Sequence, residues 1–136
     1  MAIKVPRTAT ILFKTAERDA LLEGGELCLY QNNFTPIDTM VIGDLTEADF
    51  DGYARIPLTG WSAPALNGDF KAQTDLPAQI FTMTGSTTPN DIYGVFVVDG
   101  SGNLLYAELD PSGPVTMDTD GQFYGYVPRF TNESEF

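Results

Sequence analysis

The sequence predicts an all-β fold, mostly antiparallel, arranged as a β-sandwich or flattened barrel with one or two short helices. Three observations predict it. Apolar residues fall in strand-length runs rich in β-branched and aromatic side chains, as in Ile92-Tyr-Gly-Val-Phe-Val-Val98. Thirteen Gly and nine Pro, with many Asn and Asp, punctuate the 136 residues closely enough to put turns between those runs. Helix-start signals mark only two brief stretches. A chain this long suits one domain and buries roughly two-thirds of the surface its unfolded form exposes. We read residues 1–8 as an extended N-terminal arm and 9–136 as a single β-rich domain.

In the arm, Pro6 fixes its own φ and disfavours helix just before it. Thr8 to Phe13 alternates loosely and suits a first strand. Thr15 to Leu22 suits a short helix, with Thr15 as cap, Glu17 and Asp19 in the first turn, and Gly24-Gly25 as the stop. Glu26 to Gln31 is the next strand, closed by Asn32-Asn33. A second helical turn is expected over Gly43–Phe50, capped by Asp44 or Thr46 and pinned by Leu45 and Phe50. Asp51-Gly52 ends it, and Tyr53 to Thr59 follows as a strand whose Pro57 belongs at a sheet edge. Asp69 to Thr74 and Gln79 to Thr84 read as further strands.

The strongest pattern is the pair Ile92–Asp99 and Leu104–Asp110, joined by Asp99-Gly-Ser-Gly-Asn103 as an antiparallel hairpin. The first of these runs is apolar almost throughout, which predicts that both of its faces are covered. Gln122 to Phe130 is the last strand.

Composition excludes several functions. The chain contains no histidine, so Ser-His-Asp and Cys-His catalysis are impossible, and most zinc and iron sites lose their commonest ligand. The single cysteine, Cys28, cannot form an internal disulfide, and its apolar neighbours mark it as a buried small hydrophobe. A net charge of −12, with seven scattered basic residues, argues against binding nucleic acid or an anionic membrane. No apolar run approaches the ~20 residues that span a bilayer, and the start lacks the pattern of a secretory signal.

Few constellations carry chemistry. Glu108 and Asp110 lie two apart on one strand and so share a face. A glycosidase acid needs an apolar pocket around it, and nothing in the sequence supplies one, so a solvated strand face is the simpler account. Asp99-x-Ser-x-Asn103 places oxygens at alternate positions, but Leu104 stands where an EF-hand loop requires glycine. This loop, Asp49-x-Asp-Gly52 and Asp118-x-Asp-Gly121 therefore read as Asx turns. No phosphate-binding glycine pattern occurs, and Asn132-Glu-Ser134 fits a glycosylation triplet without a secretory signal before it. Trp61, near Tyr53 and Phe70 in the chain, suits either a core or an interface, or a platform for a sugar ring. No cofactor or metal is expected.

Four stretches carry a resemblance. Leu45-Thr-Glu-Ala-Asp-Phe-Asp-Gly-Tyr-Ala-Arg-Ile-Pro-Leu-Thr-Gly60 is similar to an "ltEadFxGYxxxxL" run in small virion proteins of tailed bacteriophages. Asn90 to Asp99, Leu104 to Pro114 and Tyr126-Val-Pro-Arg-Phe130 resemble the paired strands and the closing strand of the same proteins. The likeness runs in order over most of residues 45–130. It departs at Tyr106, where Trp is frequent, and at Leu109, where a basic or aromatic residue is common.

The resemblance implies a capsid-associated protein of the cement or decoration type, made in the host cytoplasm and seated on the outer surface of an icosahedral shell. It implies the major capsid protein as partner, a homotrimer as the assembled form, and no enzymatic activity. Partner contacts are then expected from Ile3, Val5 and Arg7 of the arm, and from Trp61 and Phe136. The competing readings are a tail, neck or fibre component and a carbohydrate-binding module.

Overall fold

A computed structural model describes residues 2–4, 24–59, 65–66 and 72–131. The expected strand over 8–13 and helix over 15–22 lie outside the described residues. The strands are β1 (Ala2–Lys4), β2 (Glu26–Tyr30), β3 (Ile56–Pro57), β4 (Ala65–Leu66), β5 (Ala72–Asp75) and β6 (Gln79–Thr82). They continue with β7 (Asn90–Ile92), β8 (Gly94–Val98), β9 (Leu104–Leu109), β10 (Val115–Met117), β11 (Phe123–Tyr126) and β12 (Arg129–Thr131). Every pairing between them is antiparallel, so the chain is all-β as its sequence patterning requires.

The central element is a five-stranded sheet in the order β1-β9-β8-β2-β3. Strict alternation along β2 and β8 sends Leu27, Leu29, Val95 and Val97 to one face and Cys28, Tyr30, Phe96 and Val98 to the other. Both faces are covered, which is why β8 is buried at all five positions. The first face packs against Phe81, Met83 and Tyr124 of the β6/β11 ribbon and its flanks, with Phe50 and Leu58 beside them. The second is closed by Phe34, Met40 and Leu45, from the connection that follows β2. A register shift between Val97 and Val98 on β8 lets Leu105 and Tyr106 of β9 both join the first face, while Leu104, Ala107 and Leu109 join the second.

Two expected long strands are each divided between partners. The run from residue 90 pairs with β10 as β7, then with β2 and β9 as β8. At the junction, Tyr93 N–H donates to the Tyr30 carbonyl at 2.9 Å and its carbonyl accepts from Asp110 N–H at 2.8 Å. Glycine is required at the next position. A Cβ on Gly94 would lie 2.1 Å from the Glu108 carbonyl oxygen and 2.7 Å from the Tyr30 ring. The C-terminal run likewise pairs with β6 as β11 and with β5 as β12, with Val127-Pro128 between them and a Leu76 N–H to Pro128 carbonyl bond of 3.1 Å at the bend. The proline there has no N–H to continue a regular ladder.

The helical turn expected over residues 43–50 is corrected to a 3-10 turn at Ile42–Asp44 followed by extended chain. Backbone groups of residues 46–48 are committed to the neighbouring strand: Gln31 N–H donates to Thr46 O, and Ala48 N–H to Leu29 O. Asp44 does not cap a following helix; its carboxylate accepts from Val41 N–H at 2.9 Å. Leu45 and Phe50 are both buried as expected, but in opposite clusters, which suits extended chain across the sheet edge better than one helix face. The expected strand at Tyr53–Thr59 is paired only at β3, and its Pro57 does lie on an edge strand.

Candidate functional site

The segment from Glu47 to Leu58 folds into a knot of named contacts. Arg55 grips Glu47 with two bonds, Nε to Oε2 at 2.9 Å and Nη2 to Oε1 at 2.8 Å, and reaches Glu26 at 3.3 Å. Glu47 Oε2 also accepts from the Tyr53 hydroxyl at 2.7 Å, and that hydroxyl accepts from Leu29 N–H at 3.1 Å. Burial raises the Glu47 carboxyl, but the Arg55 and Tyr53 hydrogen bonds outweigh it and hold the group below its usual range. The Tyr53 ring stacks on Phe81 at 5.8 Å and meets Phe50 edge-on at 5.4 Å. Gly52 sits at φ +85°, with Thr84 so close that a Cβ would fall 2.2 Å from its hydroxyl. Glu47, Phe50, Gly52, Tyr53 and Leu58 thus act as structural residues.

A cleft does open between β9 and β11, where Val95, Glu108, Asp110, Pro111, Tyr124 and Tyr126 enclose about 180 Å³. Alternation puts Glu108 and Asp110 on the same side of their strand, as their spacing predicts, and Tyr124 and Tyr126 on the facing side of theirs. Glu108 Oε1 accepts from the Tyr106 hydroxyl at 2.8 Å and the Tyr126 hydroxyl at 2.7 Å. Asp110 Oδ2 accepts from the Tyr124 hydroxyl at 2.8 Å, while its Oδ1 accepts from Ser112 N–H at 2.9 Å. Burial first, then the neighbouring carboxylates, push Tyr124 and Tyr126 well above the ordinary phenol range. Tyr30 is pushed up to about 12 by burial and by the charges of Glu108 and Asp110.

These hydroxyls therefore stay protonated donors at neutral pH. The cleft presents carboxylate oxygens and protonated hydroxyls, and the tyrosines supply no base. Glu108 is held by two donating hydroxyls, which is unlike the apolar pocket that a glycosidase acid requires.

Of the three acidic loops expected to be Asx turns, the one at Asp99 has that geometry. Asp99 Oδ1 accepts from Ser101 and Asn103 N–H at 2.9 and 2.8 Å, and Oδ2 from Asn103 Nδ2 at 3.1 Å. Partial burial raises the Asp99 carboxyl, but these bonds pull it below its usual value. The other two are corrected: Asp51 accepts from Thr87 N–H and Asp120 from Gly85 N–H, so these carboxylates tie distant loops together rather than closing Asx turns. Among the described residues, no three His, Cys, Asp or Glu side chains gather in a set fit to hold a metal.

The surface also carries an apolar stripe that sequence reading missed. On the outward side of the β6/β11 ribbon, Ile80, Phe123 and Val127 are 48%, 65% and 54% exposed, while Phe81 and Tyr124 point inward. Ile80 lies across from Gly125 and packs over it, with its Cδ1 3.1 Å from where a Cβ would be. The alternation of exposed and buried residues along 79–82 and 123–126 carried the signal, but sequence alone does not say which parity faces out. A shallow groove of about 310 Å³ between β3 and β6 extends the apolar surface through Ala54, Ile56 and Ile80.

Of the residues named from sequence for partner contact, Ile3 lies on β1 opposite Ala107 of the chain's own β9. Val5, Arg7, Trp61 and Phe136 lie outside the described residues. Fold and surface together define an all-β protein whose described surface includes an apolar stripe and a tyrosine–carboxylate cleft. Comparison with protein-family models, curated proteins and solved structures finds no match to this chain.

Proposed function

We propose that this chain is a non-enzymatic virion structural protein that binds the outside of an icosahedral phage capsid and stabilises it by bridging major capsid subunits. The observation that carries the reading is the outward apolar stripe Ile80–Phe123–Val127 on a ribbon whose inner side is anchored in the core. A rigid apolar strip on a protein of net charge −12 is suited to docking on another protein. The likeness of residues 45–130 to small phage virion proteins supports the same reading. So does the net charge of −12, which is repelled by packed DNA and suits the external side of a shell. A homotrimer follows from the likeness alone.

The test is occupancy on purified, emptied capsids. Phe123→Asp, at a largely exposed position, is expected to lower occupancy at least tenfold while leaving the circular dichroism and melting midpoint near wild type. Unchanged occupancy would refute the stripe as the docking face. Copy number separates a shell role from a neck or tail role: decoration demands many copies per particle, a ring only a few.

A glycan-binding reading is favoured by one feature, the cleft of Glu108, Asp110, Tyr124 and Tyr126, whose groups suit sugar hydroxyls. A glycan array with no binding above background removes it.

A further inference from the structure

Strand β6 pairs with β11 along one edge, and among the described residues no strand pairs with the other. Two bonds just past its end fix the direction of its backbone groups. Met83 N–H donates to Gln122 O at 2.8 Å, on the β11 side, whereas Thr84 N–H donates to Asp51 O at 2.9 Å, on the opposite side. Backbone groups alternate in direction along a strand, so Phe81 turns its N–H and C=O to β11, while Ile80 and Thr82 turn theirs outward. Among the described residues, no backbone partner is seen for those outward groups, and both residues are exposed.

Across from this edge lies β3. The Thr84–Asp51 bond joins the two chains at one end, and beyond it they leave the groove of about 310 Å³, lined by Gly52, Ala54, Ile56, Pro57, Ile80 and Thr82. Strand β3 cannot close the gap. Leu58 N–H is committed to Gly25 O at 2.8 Å, and Pro57 has no N–H to give. Phe81 also lines the groove and is held by stacking on Tyr53 at 5.8 Å.

Unpaired N–H and C=O groups on an extended edge are complementary to another extended backbone. A strand laid along β6 sets one side chain beside Ile80 on the outer face and the next against Phe81 and Ile56 in the groove. Both positions favour apolar groups. The border of the groove is acidic: Glu26 and Glu47 share the single guanidinium of Arg55, and Asp51 adjoins Gly52. That excess of carboxylates, on a chain of net charge −12, favours an occupant carrying Lys or Arg.

We propose that the groove between β3 and β6 docks an extended segment of a partner polypeptide, apolar where it faces Ile80, Ile56 and Phe81 and basic at its ends, which adds as a strand to the open edge of β6. This holds independently of the capsid reading, since the edge selects a backbone conformation and a charge rather than a source.

A display library of random peptides of about eight residues, selected on the immobilised full chain, supplies the probe. The expected binders have apolar residues at alternate positions and Lys or Arg near their ends. Thr82→Pro removes an N–H that bonds nothing in the fold, and proline is tolerated on a strand edge. It should weaken the selected peptide about tenfold or more with the melting midpoint near wild type, whereas Thr82→Val, which keeps the N–H, should bind normally. Methylating alternate amides of the peptide tests the same bonds without altering the protein, and should weaken binding as much. Amide exchange at Ile80 and Thr82 should slow about tenfold in the complex, as an added strand demands. Thr82→Pro leaves Phe123 and Val127 in place, so edge and stripe are tested separately. Three outcomes overturn the proposal: no peptide whose binding needs the Thr82 N–H or its own alternate amides, binding that leaves exchange at Ile80 and Thr82 unchanged, or slow exchange of both amides in the free chain, which means that this chain or a second copy already covers the edge.

Discussion

A methyl group at Gly94 tests the packing that holds the cleft strand and the sheet together. In Gly94→Ala the new Cβ would lie 2.1 Å from the Glu108 carbonyl oxygen and 2.7 Å from both Cε1 and the hydroxyl of Tyr30. Ordinary contact requires about 3.4 Å or more, so β8 and β9 must part by roughly an ångström or the backbone must buckle. Either response disturbs the Gly94–Leu109 and Val95–Glu108 pairs and pushes the Tyr30 hydroxyl off the Phe34 carbonyl, now 3.0 Å away. Overpacking of this kind costs about 1–3 kcal/mol and a lost buried hydrogen bond about 1 kcal/mol more, giving roughly 2–4 kcal/mol in total. With a urea slope of about 2 kcal/mol/M, the unfolding midpoint drops by about 1–2 M. Gly43→Ala is the control, because no atom lies within 4 Å of its Cβ position. It should leave the midpoint unchanged or raise it slightly, since alanine restricts the unfolded chain. Urea unfolding followed by tyrosine fluorescence reads both. A Gly94→Ala midpoint within experimental error of the Gly43→Ala midpoint would refute the close approach of β8, β9 and Tyr30.

Other consequences are as direct. Tyr126→Phe removes a hydroxyl that donates to Glu108 at 2.7 Å, and should cost about 2 kcal/mol in urea unfolding, as a hydrogen bond to a charged group does. The Cys28 thiol is fully buried, and burial pushes it up to about 12, so Ellman's reagent at pH 8 should find no thiol in the native protein and one per chain in denaturant. Asp99 is held below the ordinary carboxylate range in the folded state, so its contribution to stability is present above the unfolded value near 4 and is lost as pH falls through the folded one. Asp99→Asn, which keeps an acceptor oxygen for the turn, should therefore flatten the loss of melting temperature below about pH 4 relative to wild type.

The elements legible in the sequence are those whose local chemistry and final environment agree. The hairpin of β8 and β9 was legible because its apolar run is buried on both faces and its turn residues supply Asp99, whose carboxylate closes the loop. The turn at Asp51-Gly52 and the edge position of Pro57 were legible for similar reasons. The segment 43–50 was misread because capping residues and spaced apolar side chains favour a helix locally, whereas hydrogen bonds to β2 from positions far away in sequence claim its backbone. Strand β10 was missed because Val115-Thr-Met117 is too short to show a period, and it exists only through pairing with β7. The cleft was half visible: spacing placed Glu108 and Asp110 together, but nothing local brings Tyr124 and Tyr126 of a distant strand against them.

The acidic charge is more structural than the net value suggests. Asp44, Asp51, Asp99, Asp110 and Asp120 each accept a backbone N–H in a turn or loop, and Glu47 is spent on Arg55 and Tyr53. A chain without disulfides that makes sharp turns has few other acceptors for those amides, and carboxylates serve better than water where the loop is partly buried. A net charge of −12 is then in part the by-product of many tight connections between short strands. It follows that removing surface charge from this protein is not neutral. Substitutions at Asp44, Asp51, Asp99 or Asp120 should loosen a named loop, whereas Asp38, for which no such bond is seen among the described residues, is a position at which charge alone can be changed. Comparing shell occupancy of Asp38→Asn with that of Asp99→Ala, which removes the acceptors of the turn, separates steering by the field from loss of a loop: only a purely electrostatic role lowers both equally.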